Sequence, residues 1–504
     1  MMNLTMKMPV ALASMGLSAM LATAASPPNV VVFYVDDMGW GDVGYHGFDD
    51  IKTPSIDSLA AGGVHFTQGY TSASVCGPSR SGLLTGVYQQ KLGVYGNGAA
   101  GVMNAEQPLI FKTLKEHGYT TGAVGKWGIH VGSETPMPTD NGVDFFYGFL
   151  GGGHDYYHSS LDANHAKPGW RPIYRNAEME PPIQEKNGYL TELFTEESLG
   201  FLDRHAGDEK PFFLYVAYNA VHSPWTVPQP YLDRVDDLEV HHPDRKVLAG
   251  MALCMDDGVG QIVDKLKEKN VYDNTIIFFM SDNGTPAGQG VKKPYTRTER
   301  NDTVMSSPGP FNGYKGDTYE GGIRIPYIIH FPKELPQGKV YEYPVINLDM
   351  AATVTARIGV DSPGEGAPFG YDGKDLFPYL KGEKTERPHE VLYWRRGNDY
   401  AIRVGDMKLA FNDQRGPQTI RLFDMVKDKE ERIDLDLKMP ELAQSLQDRF
   451  DAWDSELAPA NRPQANRNFD YAKGQRTDVK AFNAAALANP KKAEKKGGKR
   501  KSKK

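Results

Sequence analysis

The chain carries only two cysteines in 504 residues, Cys76 and Cys254. So few exclude a fold stapled by disulfides, the usual device of small exported domains. Cys254 shares an apolar stripe at helical spacing with Met251, Gly258, Ile262 and Leu266 and reads as a buried structural thiol. Cys76 is then left without a pairing partner. Long apolar runs are scarce too. Val10 to Leu21 is too short for the ~20 residues that cross a bilayer, and no later run qualifies, so no transmembrane segment is expected. With Lys7 ahead of it and Ala22-Thr23-Ala24 behind, that run marks residues 1–25 as a cleavable signal peptide, and the expected location is periplasmic or secreted. Excess positive charge is also missing. The formal charge is −7, and because the last fourteen residues hold nine Lys or Arg against one Glu, the remainder stands at −15. Such a body cannot gather anionic ligands by net charge, so any attraction is local to a cleft, and no specific nucleic-acid partner is expected. The basic tail reads as a solvated low-complexity extension.

What is present is a large apolar complement: 40% of residues are hydrophobic and 24% charged, enough for a sizeable core and more than one domain. Runs at Asn29–Val35, Thr120–Val124, Pro211–Tyr218, Asn274–Met280 and Ile325–Phe331 predict buried strands. Helical spacing predicts helices over Pro54–Ala61, Pro108–His117, Gly188–His205 and Val247–Asn270. The alternation implies an α/β fold, a mostly parallel sheet sandwiched by helices. Near residue 390 the texture changes. Short strands at Val391–Trp394, Tyr400–Val404, Met407–Phe411 and Ile420–Phe423, then a helix over Pro440–Leu457, predict a smaller C-terminal antiparallel sheet with one helix. The division is therefore a catalytic domain over 26–390, a C-terminal subdomain over 391–461, and a strap and basic tail over 462–504. Residues 284–312, rich in Gly, Pro and Thr, read as a long surface loop near the cleft.

In a parallel sheet, ligands bind beyond the carboxyl ends of the strands. Asp36 and Asp37 follow the first strand, and Lys126 and His130 the second. The third is followed by Asn219-Ala220-Val221-His222-Ser223-Pro224 and the fourth by Asp282-Asn283-Gly284. One rim thus receives acidic, amide, cationic and imidazole groups. Asp36, Asp37, Asp282 and Asn283 are hard oxygen donors, suited with an oxygen at position 76 to Ca²⁺ or Mg²⁺ rather than zinc. Taken singly, Asp36-Asp37 is equally a helix cap and Asp-Asn-Gly equally a tight turn. Between them lies Val75-Cys76-Gly77-Pro78-Ser79-Arg80-Ser81-Gly82-Leu83-Leu84-Thr85-Gly86.

The C-x-P-x-R spacing with the L-L-T-G behind it resembles the signature of the type I sulfatases. So do V-D-D-M-G-W-G-D from Val35, T-P-S-I-D-S-L-A from Thr53, G-K-W from Gly125, N-A-V-H-S-P from Asn219, S-D-N-G from Ser281 and G-Y-K-G-D-T-Y-E-G-G-I-R-I-P from Gly313. The resemblance covers roughly residues 27–435. It implies an alkaline-phosphatase-like core, a nucleophile made by oxidising Cys76 to formylglycine (3-oxoalanine), and one Ca²⁺ held by Asp36, Asp37, Asp282, Asn283 and residue 76. It further implies that Arg80 steadies the formylglycine hydroxyl, that Lys126 and Lys315 neutralise sulfate oxygens, and that His222 acts as general acid to the leaving alcohol. A formylglycine-generating or anaerobic maturase is the implied biosynthetic partner, and a sulfated polysaccharide or its oligosaccharides the implied substrate.

One departure stands out. The family spaces lysine and histidine as K-x-H, whereas here Lys126-Trp127 is followed by Gly128 and the histidine arrives as His130. His130 fills the second histidine's role if the loop bulges, with His154 as substitute. Two rival functions remain at this point: a formylglycine-dependent phosphodiesterase or phosphonate monoester hydrolase, and a catalytically silent polyanion-binding protein of the same fold. The aromatic segments Phe145–Tyr157 and Trp394–Tyr400 serve either as sugar platforms or as core.

Overall fold

The strand Asn29–Val35 is β-branched or aromatic at nearly every position, and all seven residues are buried. A strand apolar on both faces belongs at the centre of a covered sheet. The computed structural model puts it there. It describes residues 26–97, 102–103, 106–131, 137–162, 169–240, 242–286, 305–364, 367–412 and 420–459. The expected signal peptide over residues 1–25, the basic tail and most of the 284–312 loop lie outside the described residues.

Ten strands form the main sheet, in the order Lys339–Tyr341, Val64–Phe66, Tyr327–His330, Thr275–Ser281, Asn29–Val35, Phe212–Ala217, Thr120–Lys126, Phe145–Phe149, Tyr174–Arg175, Glu178–Met179. The five from Thr275–Ser281 to Phe145–Phe149 are parallel to one another. The segment read as Ile325–Phe331 is a strand over Tyr327–His330, but it runs antiparallel to Thr275–Ser281. Phe145–Phe149, read only as an aromatic segment, is a sheet strand, and Phe146 and Phe149 are core. Tyr156 and Trp394 are buried as well, so the core reading holds for most of both aromatic segments.

Alternation along the strands feeds two cores. Val31, Phe33 and Val35 join Leu214, Val216, Ile277 and Phe279 on one face, covered by the helices Leu190–His205 and Pro243–Glu268. Val30, Val32 and Tyr34 join Phe213, Tyr215, Ile276 and Phe278 on the other, covered by Cys76–Thr85, Ile110–Glu116 and Asp349–Ala356. Cys254 is buried in the first core and unpaired. Burial pushes its thiol pKa far up, which keeps it inert.

Val391–Arg396, Asp399–Val404, Met407–Phe411 and Ile420–Asp424 form a second, fully antiparallel sheet in chain order. The helix Pro440–Ser455 lays Ala443, Leu446 and Phe450 on one face of it, against Ile402, Leu409, Ile420 and Leu422. The other face packs Leu392, Trp394, Ala401 and Phe423 on Tyr70, Tyr88, Tyr319 and Ile346 of the larger part. Among the described residues no helix is long and apolar enough to cross a membrane.

Candidate active site

Register places the chemistry. Val35 pairs with Ser281 and Ala217 with Gly125, so the central strands end level and the next residues share one rim. In extended chain Asp36 and Asp37 would face opposite sides. Asp37 instead takes a left-handed conformation, φ 64°, which aspartate tolerates better than most residues. One ligand oxygen each from Asp36 and Asp37 and a ring nitrogen of His222 thereby lie within 4.8 Å of one another.

Residue 76 arrives from the other face. Val75 is extended (φ −145°, ψ 151°) and the helix starts at Cys76, so the buried side chain sits at the positive end of ten residues of helix, where an anion gains about 0.3–1 kcal/mol. The helix is pinned to the sheet beneath it. Tyr34 Oη meets Ser79 Oγ at 2.5 Å, and Asn347 Nδ2 donates to Tyr34 Oη at 2.9 Å. Cys76 Sγ, an Asp36 oxygen and an Asp282 oxygen fall within 4.8 Å of one another.

Three cations answer the three carboxylates. Lys126 Nζ donates to Asp36 Oδ2 at 2.6 Å, both side chains fully buried. Lys315 Nζ donates to Asp37 Oδ1. Arg80 puts Nε and Nη2 on Asp282 Oδ2 at 3.0 and 2.7 Å and Nη1 on Lys126 O and Tyr215 Oη at 3.1 and 3.2 Å. Expected to steady the residue-76 hydroxyl, Arg80 here spends its guanidinium on Asp282 and the strand ends. His222 Nδ1 lies 2.6 Å from Ser223 O, which can only accept, so Nδ1 carries the hydrogen. Nε2 then points inward, 3.7 Å from Asp37 Oδ2. Tyr156 Oη clamps this loop by donating to Asn219 O and His222 O at 2.7 and 2.8 Å.

The electrostatics are uneven. Burial works against the Asp36 carboxylate, but Lys126 foremost, then His222 and Lys315, holds its pKa well below the usual range. Burial and the neighbouring Asp36 push Asp282 up to about 6, despite Arg80 and Lys126. Burial lowers the His222 pKa against the pull of Asp36 and Asp37.

A cation fits this cluster. Asp36 Oδ1 and Asn283 Oδ1 are buried with no hydrogen-bond partner, while Asn283 Nδ2 donates to Asp37 Oδ1 at 2.8 Å. Buried acceptors left open are rare and need an explanation. Ligands each about 2.3–2.6 Å from a Ca²⁺ lie at most about 5 Å apart, and the 4.8 Å groupings of Asp36 with residue 76 and Asp282, and of Asp36 with Asp37, meet that limit. Asp36, Asp37, Asp282 and Asn283 would hold it, with residue 76 as the further ligand.

The other expected histidines stand apart. His130 pairs in a two-residue strand with Val102, and among the described residues it makes no hydrogen bond or ion pair with the cluster. Its pKa is lowered by burial alone. His154 turns Nδ1 to Asp155 O at 2.7 Å and Nε2 to Arg171 O at 2.9 Å, so neither nitrogen is available as the substitute. A residue that sequence reasoning missed does touch position 76. Asn97 Nδ2 lies 3.5 Å from Cys76 Sγ. Twenty-one positions downstream in a glycine-flanked loop, it carries no local signal beyond Gly96-Asn97-Gly98.

The sulfatase family model matches residues 28–360. The N-acetylgalactosamine-6-sulfatase of Mus musculus is 34% identical over 419 residues, 79% of this chain and 74% of that one. An arylsulfatase of Hemicentrotus pulcherrimus is 35% identical over 405 residues, 77% and 68% of the two chains. Among solved structures, Ps i-CgsB superposes with TM-score 0.75 at 32% identity, covering 86% of this chain and 94% of that one. With its strand-end chemistry and these likenesses over most of its length, the chain belongs to the sulfatase family and is a sulfuric ester hydrolase.

Proposed function

We propose that this sulfatase removes sulfate ester groups from a sulfated polysaccharide or its oligosaccharides, outside the cytoplasm, with residue 76 as formylglycine and one calcium ion at the rim. The observation that carries the reading is the pair of open buried oxygens, Asp36 Oδ1 and Asn283 Oδ1, beside a side chain at a helix N-terminus. Three carboxylates face three side-chain cations, so the cluster is formally neutral and poorly suited to an anionic ester. A divalent cation makes it positive. In the loaded enzyme, formylglycine supplies an oxygen nucleophile, and calcium supplies Lewis acidity and a hold on a sulfate oxygen.

The chain's own residues do the rest. Lys126 pairs with Asp36 and Lys315 with Asp37, and both would neutralise sulfate oxygens as charge builds. His222 Nε2 faces the Asp37 carboxylate with its other nitrogen locked on Ser223 O, so Nε2 is the nitrogen that takes a proton, favoured by Asp36 and Asp37 against burial, and would give it to the leaving oxygen as general acid. Arg80 orients Asp282 and shields it. Support for a sugar substrate comes from relatives: the mouse protein is named for a sulfated N-acetylgalactosamine, and Ps i-CgsB has been crystallised in complex with k-i-k-neocarrahexaose.

The test has two parts. Mass spectrometry of the peptide spanning position 76 is expected to show formylglycine, whereas unmodified cysteine in the native host would support the silent polyanion-binding reading. Turnover of a panel of defined sulfated oligosaccharides, run against aryl phosphate diesters, is expected to favour sulfate. Preference for the diesters would move the reading to the phosphodiesterase class.

A further inference from the structure

We infer that Asn97 is a catalytic residue of this sulfatase, its amide holding an oxygen of residue 76. The inference rests on the formylglycine reading above. Its starting point is which side chains touch position 76. Asp36 and Asp282 approach from the sheet rim. The K-x-H position of the family is Gly128 here, with φ +69°, a conformation that strains any L side chain. A Cβ there would stand 3.0 Å from Arg80 Cδ and 3.2 Å from Lys126 Cε, so a side chain at 128 would crowd both cations. His130 makes no hydrogen bond or ion pair with the cluster among the described residues, and both His154 nitrogens lie on carbonyls. Among the described residues, the side chain that makes a hydrogen-bond-range contact with residue 76 is the Asn97 amide.

The amide is oriented. Asn97 Oδ1 accepts the Gly77 N–H at 3.0 Å, one of the unpaired donors of the helix's first turn. With its oxygen fixed there, the –NH₂ faces residue 76, with Nδ2 3.5 Å from Sγ, a shorter approach than the 3.7 Å from Sγ to Oδ1. The loop beneath is anchored although Asn97 itself is exposed. Tyr95 Oη donates to Ala458 O at 2.6 Å, and its ring lies under the Arg395 guanidinium at 5.2 Å. Gln90 Nε2 donates to Arg395 O at 2.9 Å, and Val94 N donates to Gln89 O at 3.0 Å. The C-terminal subdomain therefore sets where Asn97 stands. A primary amide donates to an oxygen and takes no proton, so Asn97 orients the nucleophile and stabilises its negative charge without acting as a base.

The test compares the full-length wild type with Asn97→Ala and the isosteric Asn97→Asp, after mass spectrometry has measured formylglycine in each. Position 97 lies outside the C-x-P-x-R string, so conversion is expected to be equal. With an aryl sulfate, kcat is expected to fall about 10–100-fold in both variants while KM stays within about threefold, the cost of losing one oriented donor. An aminooxy probe is expected to label the residue-76 aldehyde several-fold faster in both folded variants than in wild type. Unchanged kcat and labelling at equal formylglycine content would overturn the inference. So would a loss of kcat with KM rising in step and labelling unchanged, which would make Asn97 a substrate contact only. Unmodified Cys76 in the wild type is read separately, by mass, and would overturn the formylglycine reading instead.

Discussion

Two buried charge clusters in this protein use the same ingredients to opposite ends. At the sheet rim, Asp36, Asp37 and Asp282 face Lys126, Lys315 and Arg80, and two buried oxygens are left open. Between the two sheets, Glu320 and Glu431 face Lys408, Arg324 and Arg403. Lys408 Nζ lies 2.7 Å from both Glu320 Oε1 and Glu431 Oε1. Arg324 Nη1 lies 3.1 Å from Glu320 Oε2, and Tyr70 Oη bridges, donating to Glu320 Oε2 at 2.7 Å and accepting from Arg403 Nη1 at 2.7 Å. The second cluster closes on itself and joins the C-terminal sheet to the segment that carries Lys315. The first stays open toward a ligand. In the strut the oxygen that lacks a well-formed hydrogen bond, Glu431 Oε1, still lies 2.7 Å from the Lys408 ammonium, so what separates a site from a strut here is how far the buried carboxylates are already matched by cations.

If that contrast is right, losses at the rim remove activity and losses at the strut remove stability. The largest effect is expected from Cys76→Ala, which takes away the proposed nucleophile: aryl sulfatase kcat should fall by at least about 10⁴-fold with little change in Tm. Next is Lys408→Met. It strands two buried carboxylates, and breaking a buried pair this way costs about 3–5 kcal/mol. The expected result is a Tm several degrees lower, with kcat per folded molecule near wild type at 25 °C. A fall in kcat without a fall in Tm would show that the strut shapes the Lys315 loop rather than joining the sheets.

Asn283→Ala sharpens the rim side. It removes one of the two open oxygens without changing charge, so calcium affinity by isothermal titration is expected to weaken about 10–100-fold, with activity rescued by added calcium. The same titration carries a pH test. Asp282 sits up at about 6 because of burial and Asp36, and a proton there competes with the cation. Apparent calcium affinity in the metal-free enzyme is therefore expected to drop as pH falls below about 6, by up to about tenfold per unit. A flat profile between pH 5 and 7 would remove Asp282 from the ligand set.

The two clusters also differed in how far sequence reached them. The rim was legible because parallel strands deliver their next residues to one edge. Asp36, Lys126, His222 and Asp282 each follow a strand that periodicity had marked, and register does the rest. The central strands were placed within two residues at either end for the same reason. The antiparallel direction of Tyr327–His330 was not legible, since an apolar run looks the same either way. Phe145–Phe149 passed as an aromatic segment because nothing local separates a buried strand from a sugar platform. Asn97 and the strut escaped because their partners lie far along the chain: Asn97 meets Cys76 across 21 positions and Lys408 meets Glu320 across 88. Such contacts follow from how loops and sheets dock, which no residue pattern within a window records.

The smallest effect is expected from Glu431→Gln, and it isolates the strut's own titration. Burial, with Glu320 as a like charge, raises the Glu431 pKa to about 7 although Lys408 opposes them. A carboxyl with a folded pKa above its unfolded one holds its proton more tightly in the native state. Its contribution to stability is complete below the unfolded value of about 4.5 and declines as pH rises to about 7. Glu320 works in a different window. Lys408 overrides burial to bring its pKa down to about 2, so its stabilisation is present above about 4.5 and lost only in acid. Between pH 5 and 7 the decline therefore belongs to Glu431. Glutamine keeps an acceptor for the Glu320 N–H, which Glu431 Oε2 now receives at 2.8 Å, and removes the proton. The Tm of the variant, set below wild type at pH 5 by the lost hydrogen bond to Lys408, is expected to gain on it by about 1–3 °C by pH 7. Parallel Tm curves across that range would mean that the strut holds Glu431 ionised throughout, and that its carboxylates are as fully matched by Lys408 and the arginines as those at the rim are not.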